Sequence, residues 1–292
     1  MNIWFERFDR YHFFDWVPDA LYLRMRFKQR CGRSLNLAEP KTFNEKLQWL
    51  KLYNRKPEYT VMVDKYKVRE YIAQMIGEEY LIPLLGVWDD PEDIDFDALP
   101  NRFVLKCNHN SGLGMCICKD KSKLDITKVK AELRKGLQQN YYLSSREWPY
   151  KDVPRKIIAE KYMEDASGDL KDYKFYCFNG EMKFVMINSD RNTSKPTRAD
   201  YFDRDFNWLD FTWGYSHAEV HPQKPEQFEK MVAIAEKLAK GLPHIRVDLY
   251  DCNGKIYFGE LTFFDGSGFD KIEPEEWDYK IGNMLELPPK NV

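Results

Sequence analysis

Apolar and polar positions alternate on both sides of Asn253-Gly254, within the stretch Arg246 to Gly268. That pair favours a two-residue turn, so a hairpin is predicted whose return strand carries Ile256, Phe258 and Leu261. The same signal recurs at Asn179-Gly180, between the runs DYKFYCF and MKFVMINSD. Strand composition also marks Arg102 to Asn108, with Met115 to Lys119 as its return partner, and Lys156 to Tyr162. Elsewhere the spacing shifts to three and four. Thr42 and Glu45 have the spacing of a capping box ahead of the stripe Leu47, Leu50, Tyr53. Further helices are expected from Asp64 through Val68, Ile72 and Met75 to Gly77, from Thr127 to about Gln139, and over Phe228 to Ala239. The aromatic stretch Tyr201 to Tyr215 reads as strand and loop.

Positions 4, 5, 8 and 11 give the opening segment one helical face, rich in aromatic rings but flanked by balanced charge. Three occupants of that face stay open: the rest of the chain, a second copy in a homodimer, and a membrane surface. The acidic run Asp89 to Asp97, followed by Pro100, reads as a loop and a boundary.

At 292 residues the chain is long for one core, so two lobes are expected. Apolar residues at 43% and charged residues at 32% suit a globular protein, and a net charge of -2 argues against nucleic acid as a partner. The six cysteines lack the paired spacing of a zinc module and fit reduced thiols in the cytoplasm. Cys116 and Cys118 share one face of a strand. No run approaches the length of a transmembrane span, and the start lacks the order of a signal peptide, so a cytoplasmic location is expected.

The hairpin also carries candidate chemistry. Asp248 and Glu260 flank the turn with roughly equal arms and can lie side by side. Two carboxylates there suit magnesium, which takes oxygen ligands and completes its shell with water and substrate phosphates; solvated acids beside an ordinary turn are the plainer reading. Arg246 points to the same face as Asp248 and can hold a phosphoryl oxygen. Asn108 to Gly114 supplies small residues whose N–H groups can approach an anion, with Lys106 just before it. Its spacing is neither that of a P-loop nor of a dinucleotide fingerprint.

Taken in order, these features resemble the ATP-grasp superfamily, and within it the TupA-like branch named for teichuronopeptide synthesis. The resemblance rests on PKTFNEKLQWLKLYNR at 40 to 55, DKYKVREYI at 64 to 72, YLIPLLGVW at 80 to 88, FVLKCNHNSG at 103 to 112, DYKFYCFNGE at 172 to 181 and RVDLYDCNGKIYFGELTF at 246 to 263. It covers nearly the whole chain from about residue 20. It implies an α+β fold in which two α+β lobes with antiparallel sheets clamp ATP. The division would be a mainly helical region at 1–100, a small lobe with the glycine-rich loop at 101–162, and a large lobe with the metal hairpin at 163–292.

The same resemblance assigns Lys65 and Lys106 to the phosphates of ATP and Ser111 to Gly114, with Gly112 between them, to a lid. Glu160, Lys161 and Met163 would read adenine, and Asp172 the ribose, where Glu164, Asp165 and Asp169 compete. Lys174 would face the nucleotide, Asp248 and Glu260 would hold Mg2+, and Arg246 with Lys106 would act on the transferred phosphate. Thr262 stands where many ATP-grasp ligases have Asn, which leaves open whether one or two ions bind and whether Asp265 takes a share.

The implied activity is an ADP-forming ligase that joins an amine to a carboxylate through an acyl phosphate. Its implied substrates are a uronic acid of a bacterial capsular or surface polysaccharide, or its precursor, and an amino acid or amino compound. Arg191, Lys195 and Arg198 form a basic cluster able to meet an acidic sugar. The alternatives are a glycosyltransferase, encouraged only by Asp203 and Asp205 in an Asp-x-Asp motif, and a non-catalytic glycan binder.

Overall fold

A computed structural model describes residues 3–11, 13–165, 170–189 and 196–290. Arg191, Lys195 and Asp169 lie outside the described residues, so the basic cluster and one candidate ribose acid have no structural account.

The chain opens with helices α1 (Ile3–Arg10), α2 (Asp19–Cys31), α3 (Phe43–Tyr53), α4 (Pro57–Val63) and α5 (Val68–Met75). The capping box forms at the head of α3: the Thr42 side chain accepts from the Glu45 N–H and the Glu45 carboxylate accepts from the Thr42 N–H. Helix α5 starts later than the spacing predicts, because Asp64 closes α4 and its carboxylate accepts from the N–H groups of Tyr66 and Lys67. Lys65 therefore sits in the corner between two helices. Part of the opening aromatic face docks on the chain itself, with Phe5 stacked on Phe14 at 4.7 Å and close to Tyr22, while Tyr11, Phe13 and Trp16 stay exposed.

Strand β1 (Leu84–Trp88) leads to β2 (Phe103–Cys107) and β3 (Met115–Cys118), then to helices α6 (Ile126–Gln138) and α7 (Tyr141–Ser145) and strand β4 (Ile157–Lys161). These strands make an antiparallel sheet in the order β1-β4-β2-β3, so this sheet begins before residue 101. Helix α6 covers it, and Phe103, Leu105, Val129, Leu133 and Ile157 are buried in its own core.

The remaining strands are β5 (Lys171–Phe178), β6 (Glu181–Ser189), β7 (Arg198–Asp203), β8 (Trp208–Leu209) and β9 (Thr212–Trp213). After helix α8 (Phe228–Ala239) come β10 (His244–Cys252), β11 (Lys255–Thr262), the short β12 (Ile272–Glu273) and helix α9 (Glu276–Met284). The larger sheet runs β11-β10-β5-β6-β7-β8, and both Asn-Gly pairs make its turns, with positive φ at Asn179, Gly180, Asn253 and Gly254.

Alternation along β5 and β10 divides this sheet into two faces. Phe175 points to α8, whose apolar stripe is fully covered, and its ring lies 6.0 Å from Phe228. On the other face Phe178 and His244 meet Phe43 of α3, at 5.6 and 5.1 Å. Helices α2 to α5 thus share one core with the larger sheet, while the smaller sheet keeps its own.

Candidate active site

Asp248 and Glu260 are direct cross-strand partners, but not through equal arms. The return arm is one residue longer, and the register shifts between Asp248 and Leu249, which leaves Gly259 as an extra residue. Without that bulge Asp248 would face Gly259, and Glu260 would turn to the opposite side of the sheet. A side chain at Gly259 would meet the Asp248 carbonyl oxygen and the Tyr250 ring, each at 3.0 Å.

Around this pair β5 and β10 place Lys174 opposite Asp248 and Tyr176 opposite Arg246. Arg246 holds Asp248 with two bonds, Nε to Oδ1 at 2.7 Å and Nη2 to Oδ2 at 2.8 Å, and reaches Glu260 Oε1 at 3.0 Å. Its Nη1 donates to Asp265, which also accepts from the Tyr176 hydroxyl. Lys174 bridges Asp172 at 2.6 Å and Asp248 at 2.5 Å. Burial would push the Asp248 carboxyl up, but Arg246 and Lys174 outweigh it and hold it below its ordinary value. Burial likewise opposes the charge on Lys174, yet Asp248 and Asp172 raise its pKa.

The cluster thus sets two cations, Arg246 and Lys174, against four carboxylates, Asp172, Asp248, Glu260 and Asp265. It is two negative charges in excess, the charge a divalent cation neutralises. Among the described residues no group of three or more His, Cys, Asp or Glu is arranged to hold a metal. A site of two carboxylates completed by phosphates and water is the arrangement magnesium favours, so the donor types fit it, and an ion would take the place of Arg246 or Lys174 on Asp248. Asp172, expected at the ribose, is buried in this cluster instead of standing apart from it.

On the smaller sheet Lys106 pairs with Glu160 at 2.6 Å, and Arg69 lies 3.6 Å from the same carboxylate. Lys65 donates to the Asn110 carbonyl at 2.6 Å. Burial lowers its pKa. Its backbone N–H donates to the Asn108 carbonyl at 3.1 Å and the Asn108 side-chain amide donates to Asp64 at 2.8 Å, so the corner before α5 is tied to the end of β2. Lys161 ends β4, exposed, and Met163 follows half-buried.

The glycine loop has a fixed base and an open tip. Asn108, His109 and Asn110 are buried, with side chains on Asp64, Gln139 and Gly136, while Ser111, Gly112 and Leu113 are exposed. Gly114 is glycine for packing: at φ +68 a side chain would strike Cys107 Sγ at 2.6 Å and the Gly136 Cα at 2.8 Å. Asp203 and Asp205 form a turn in which Asp203 Oδ1 accepts from the N–H groups of Asp205 and Asn207 at 2.9 and 2.8 Å.

Sequence reasoning missed Lys51 and Glu147. The Lys51 ammonium donates to the carbonyls of Ser145 and Ser267 at 2.9 and 2.7 Å, and Glu147 accepts from both serine hydroxyls. Together they fix the loop that carries Asp265. Long-range contacts of this kind leave no local pattern.

Beside the cluster lies a cavity of about 740 Å³ that reaches Lys174, Arg246 and Asp265 at one end. The family profile described as TupA-like ATPgrasp matches residues 45–286. Among curated proteins, a lipoteichoic acid synthase of Staphylococcus saprophyticus is 28% identical over 99 residues, which is 33% of this chain and 14% of that protein. Among solved structures, the D-alanine–D-alanine ligase of Bacillus anthracis complexed with ATP is 19% identical with a TM-score of 0.41, over 70% of this chain and 54% of that one. The ATP-grasp ligase PsnB, complexed with minimal precursor, Mg and ADP, is 13% identical with a TM-score of 0.39, over 77% and 60%. The chain therefore spans little more than half the length of the first of these ligases.

Proposed function

Because the chain belongs to the TupA-like ATP-grasp family, we propose that it is an ATP-dependent carboxylate–amine ligase that forms an amide through an acyl phosphate and releases ADP. The observation that carries this reading is the opposed pair Asp248 and Glu260, with Arg246 bridging them beside a cavity large enough for two substrates.

Asp248 and Glu260 would hold magnesium, which when bound offsets the charge of the β- and γ-phosphates. Lys65 and Lys106 would bind the triphosphate, Ser111 and Gly112 would close over it, and the segment from Glu160 to Met163 would receive the adenine. Asp172 serves the ribose only by leaving Lys174. A carboxylate oxygen of the acid attacks the γ-phosphorus, the bond to the β,γ-bridging oxygen breaks, and ADP leaves with that electron pair. Arg246 then holds the phosphoryl oxygens while a neutral amine adds to the acyl carbon. Phosphate departs with the carbon–oxygen pair and the nitrogen loses one proton. No protein nucleophile is required; positioning and fixed charge do the catalysis.

The acid, in this reading, is a uronic acid of a bacterial capsular or surface polysaccharide or its precursor, and the use of ATP puts the reaction in the cytoplasm. Tyr201, Trp213 and Tyr215 line the cavity together with Asn188, Thr197 and Ser216, which suits a hydroxyl-rich ring. The test is ADP release across uronic acids and amines, with the product weighed by mass spectrometry. Failure of the protein to bind magnesium-ATP in calorimetry would sink the reading. A glycosyltransferase gains no support from the Asp-x-Asp motif, since both oxygens of the Asp203 carboxylate are taken up by its own turn.

A further inference from the structure

The cavity has two unlike walls. Strands β6, β7 and β9 contribute neutral hydroxyl, amide and aromatic groups, whereas α2 and the segment after β11 contribute Arg30, Asp270, Lys271 and Glu273. A uronic acid would meet two carboxylates that repel it, and a simple alkylamine would meet two cations that repel it. A zwitterion matches such a wall.

Arg30 stands on α2, ahead of the residues that the family profile matches. Its placement is nevertheless firm. Arg30 Nη2 meets Asp270 Oδ1 at 2.9 Å, Cys31 Sγ lies 3.7 Å from the Phe269 carbonyl, and Arg33 grips Glu45 and Asp278 at 2.9 and 3.0 Å. The last turn of α2 is thus pinned to the loop that also carries Asp265. Arg30 and Asp270 are each more than a third exposed, so their pairing adds little to stability.

Resting on the ligase reading, we infer that the amine substrate is an amino acid whose carboxylate is held by Arg30, with Lys271 beside it. The planar guanidinium matches a carboxylate through two parallel bonds. Asp270 and Glu273 draw in the ammonium group, and the amine is delivered along this wall toward Arg246. The N-terminal helical region therefore selects the substrate.

The experiment uses the full chain with magnesium-ATP and an acid that supports ADP release. Hydroxylamine traps an acyl phosphate as a hydroxamate whatever the natural amine, so it reports acid activation separately. Alanine, glutamate and lysine are each compared with their α-amides. The productive amino acid should exceed its amide by at least about tenfold in kcat/KM, the discrimination a lost charge-assisted hydrogen bond produces. Arg30→Ala should raise KM for the amino acid by a similar factor and lose its effect when the amide is the amine, and Arg30→Lys should restore part of the difference. Hydroxamate formation combined with equal use of acid and amide overturns the inference and leaves the ligase reading standing, as does an unchanged KM in Arg30→Ala. Absence of hydroxamate with every acid removes the ligase reading, and this inference with it.

Discussion

Asp248 and Glu260 oppose each other across β10 and β11, yet the first carboxylate is 2% exposed and the second 39%. Arg246 and Lys174 close over Asp248, so Asp248→Ala would take the shared buried carboxylate from both cations, leaving Arg246 to Glu260 and Asp265 and Lys174 to Asp172. That loss should cost about 3–5 kcal/mol. Glu260→Ala removes a solvated partner of Arg246 and should cost within about 1 kcal/mol. Both variants should abolish ADP release. Denaturant unfolding checks the asymmetry, and equal destabilisation would contradict the burial difference. Glu260→Gln is therefore the cleaner probe of chemistry.

The glycine loop should separate packing from ligand contact. Gly136 and Gly114 touch, and a side chain at Gly136 would meet the Gly114 Cα at 2.6 Å and Cys107 Sγ at 2.7 Å. Gly136→Ala should lose about 1–3 kcal/mol by overpacking. Gly112, at φ +79, has open space around it, so Gly112→Ala should cost only about 1–2 kcal/mol of left-handed strain. If the tip closes over phosphate, Gly112→Ala should weaken ATP binding more than its small stability loss suggests. Calorimetry with ATP beside thermal melts reads both.

How much of this was legible in the sequence depends on range. The two Asn-Gly hairpins and the capping box at Thr42 and Glu45 are local devices, written into adjacent residues. The bulge at Gly259 was not legible, since its effect appears only when Glu260 is set against Asp248. Strand β1 was missed because Leu84 to Trp88 shows no alternation and pairs with residues 157 to 160, far along the chain. Helix α2 lacks a side-chain cap. Lys106 and Arg246 were identifiable as site candidates, but Arg246 bridging Asp248, Glu260 and Asp265 is a tertiary fact.

Acid should weaken the protein before its carboxylates titrate. His244 is buried between Phe43 and Phe178, its Nδ1–H donates to the Cys177 carbonyl at 3.0 Å, and burial lowers its pKa from 6.5 to about 4. The unfolded chain then binds a proton more readily than the native one between those values, so stability rises with pH across that window. The contribution is complete above pH 6.5 and is lost as pH falls toward 4. His109, buried and also lowered to about 4, acts in the same direction. Thermal midpoints should fall from pH 7 to pH 5, and His244→Phe should fall less steeply. A parallel fall would remove His244 as a cause.

Lys174 gives the charge balance its sharpest check. Its ammonium lies between Asp172 and Asp248 at 2.6 and 2.5 Å, on a face where four carboxylates meet two cations. Lys174→Met keeps most of the side chain's bulk and removes one positive charge, raising the excess from two negative charges to three. Without magnesium the variant should lose about 3–5 kcal/mol, because Asp248 is left to Arg246 and Asp172 loses its bond to Lys174, both carboxylates being buried. A divalent cation that binds the folded cluster and not the unfolded chain restores stability by mass action. Magnesium chloride without nucleotide should therefore raise the melting temperature of Lys174→Met more than that of the parent, at matched ionic strength in sodium chloride. An equal rise in both would mean that magnesium does not enter the cluster, and would move the metal away from Asp248.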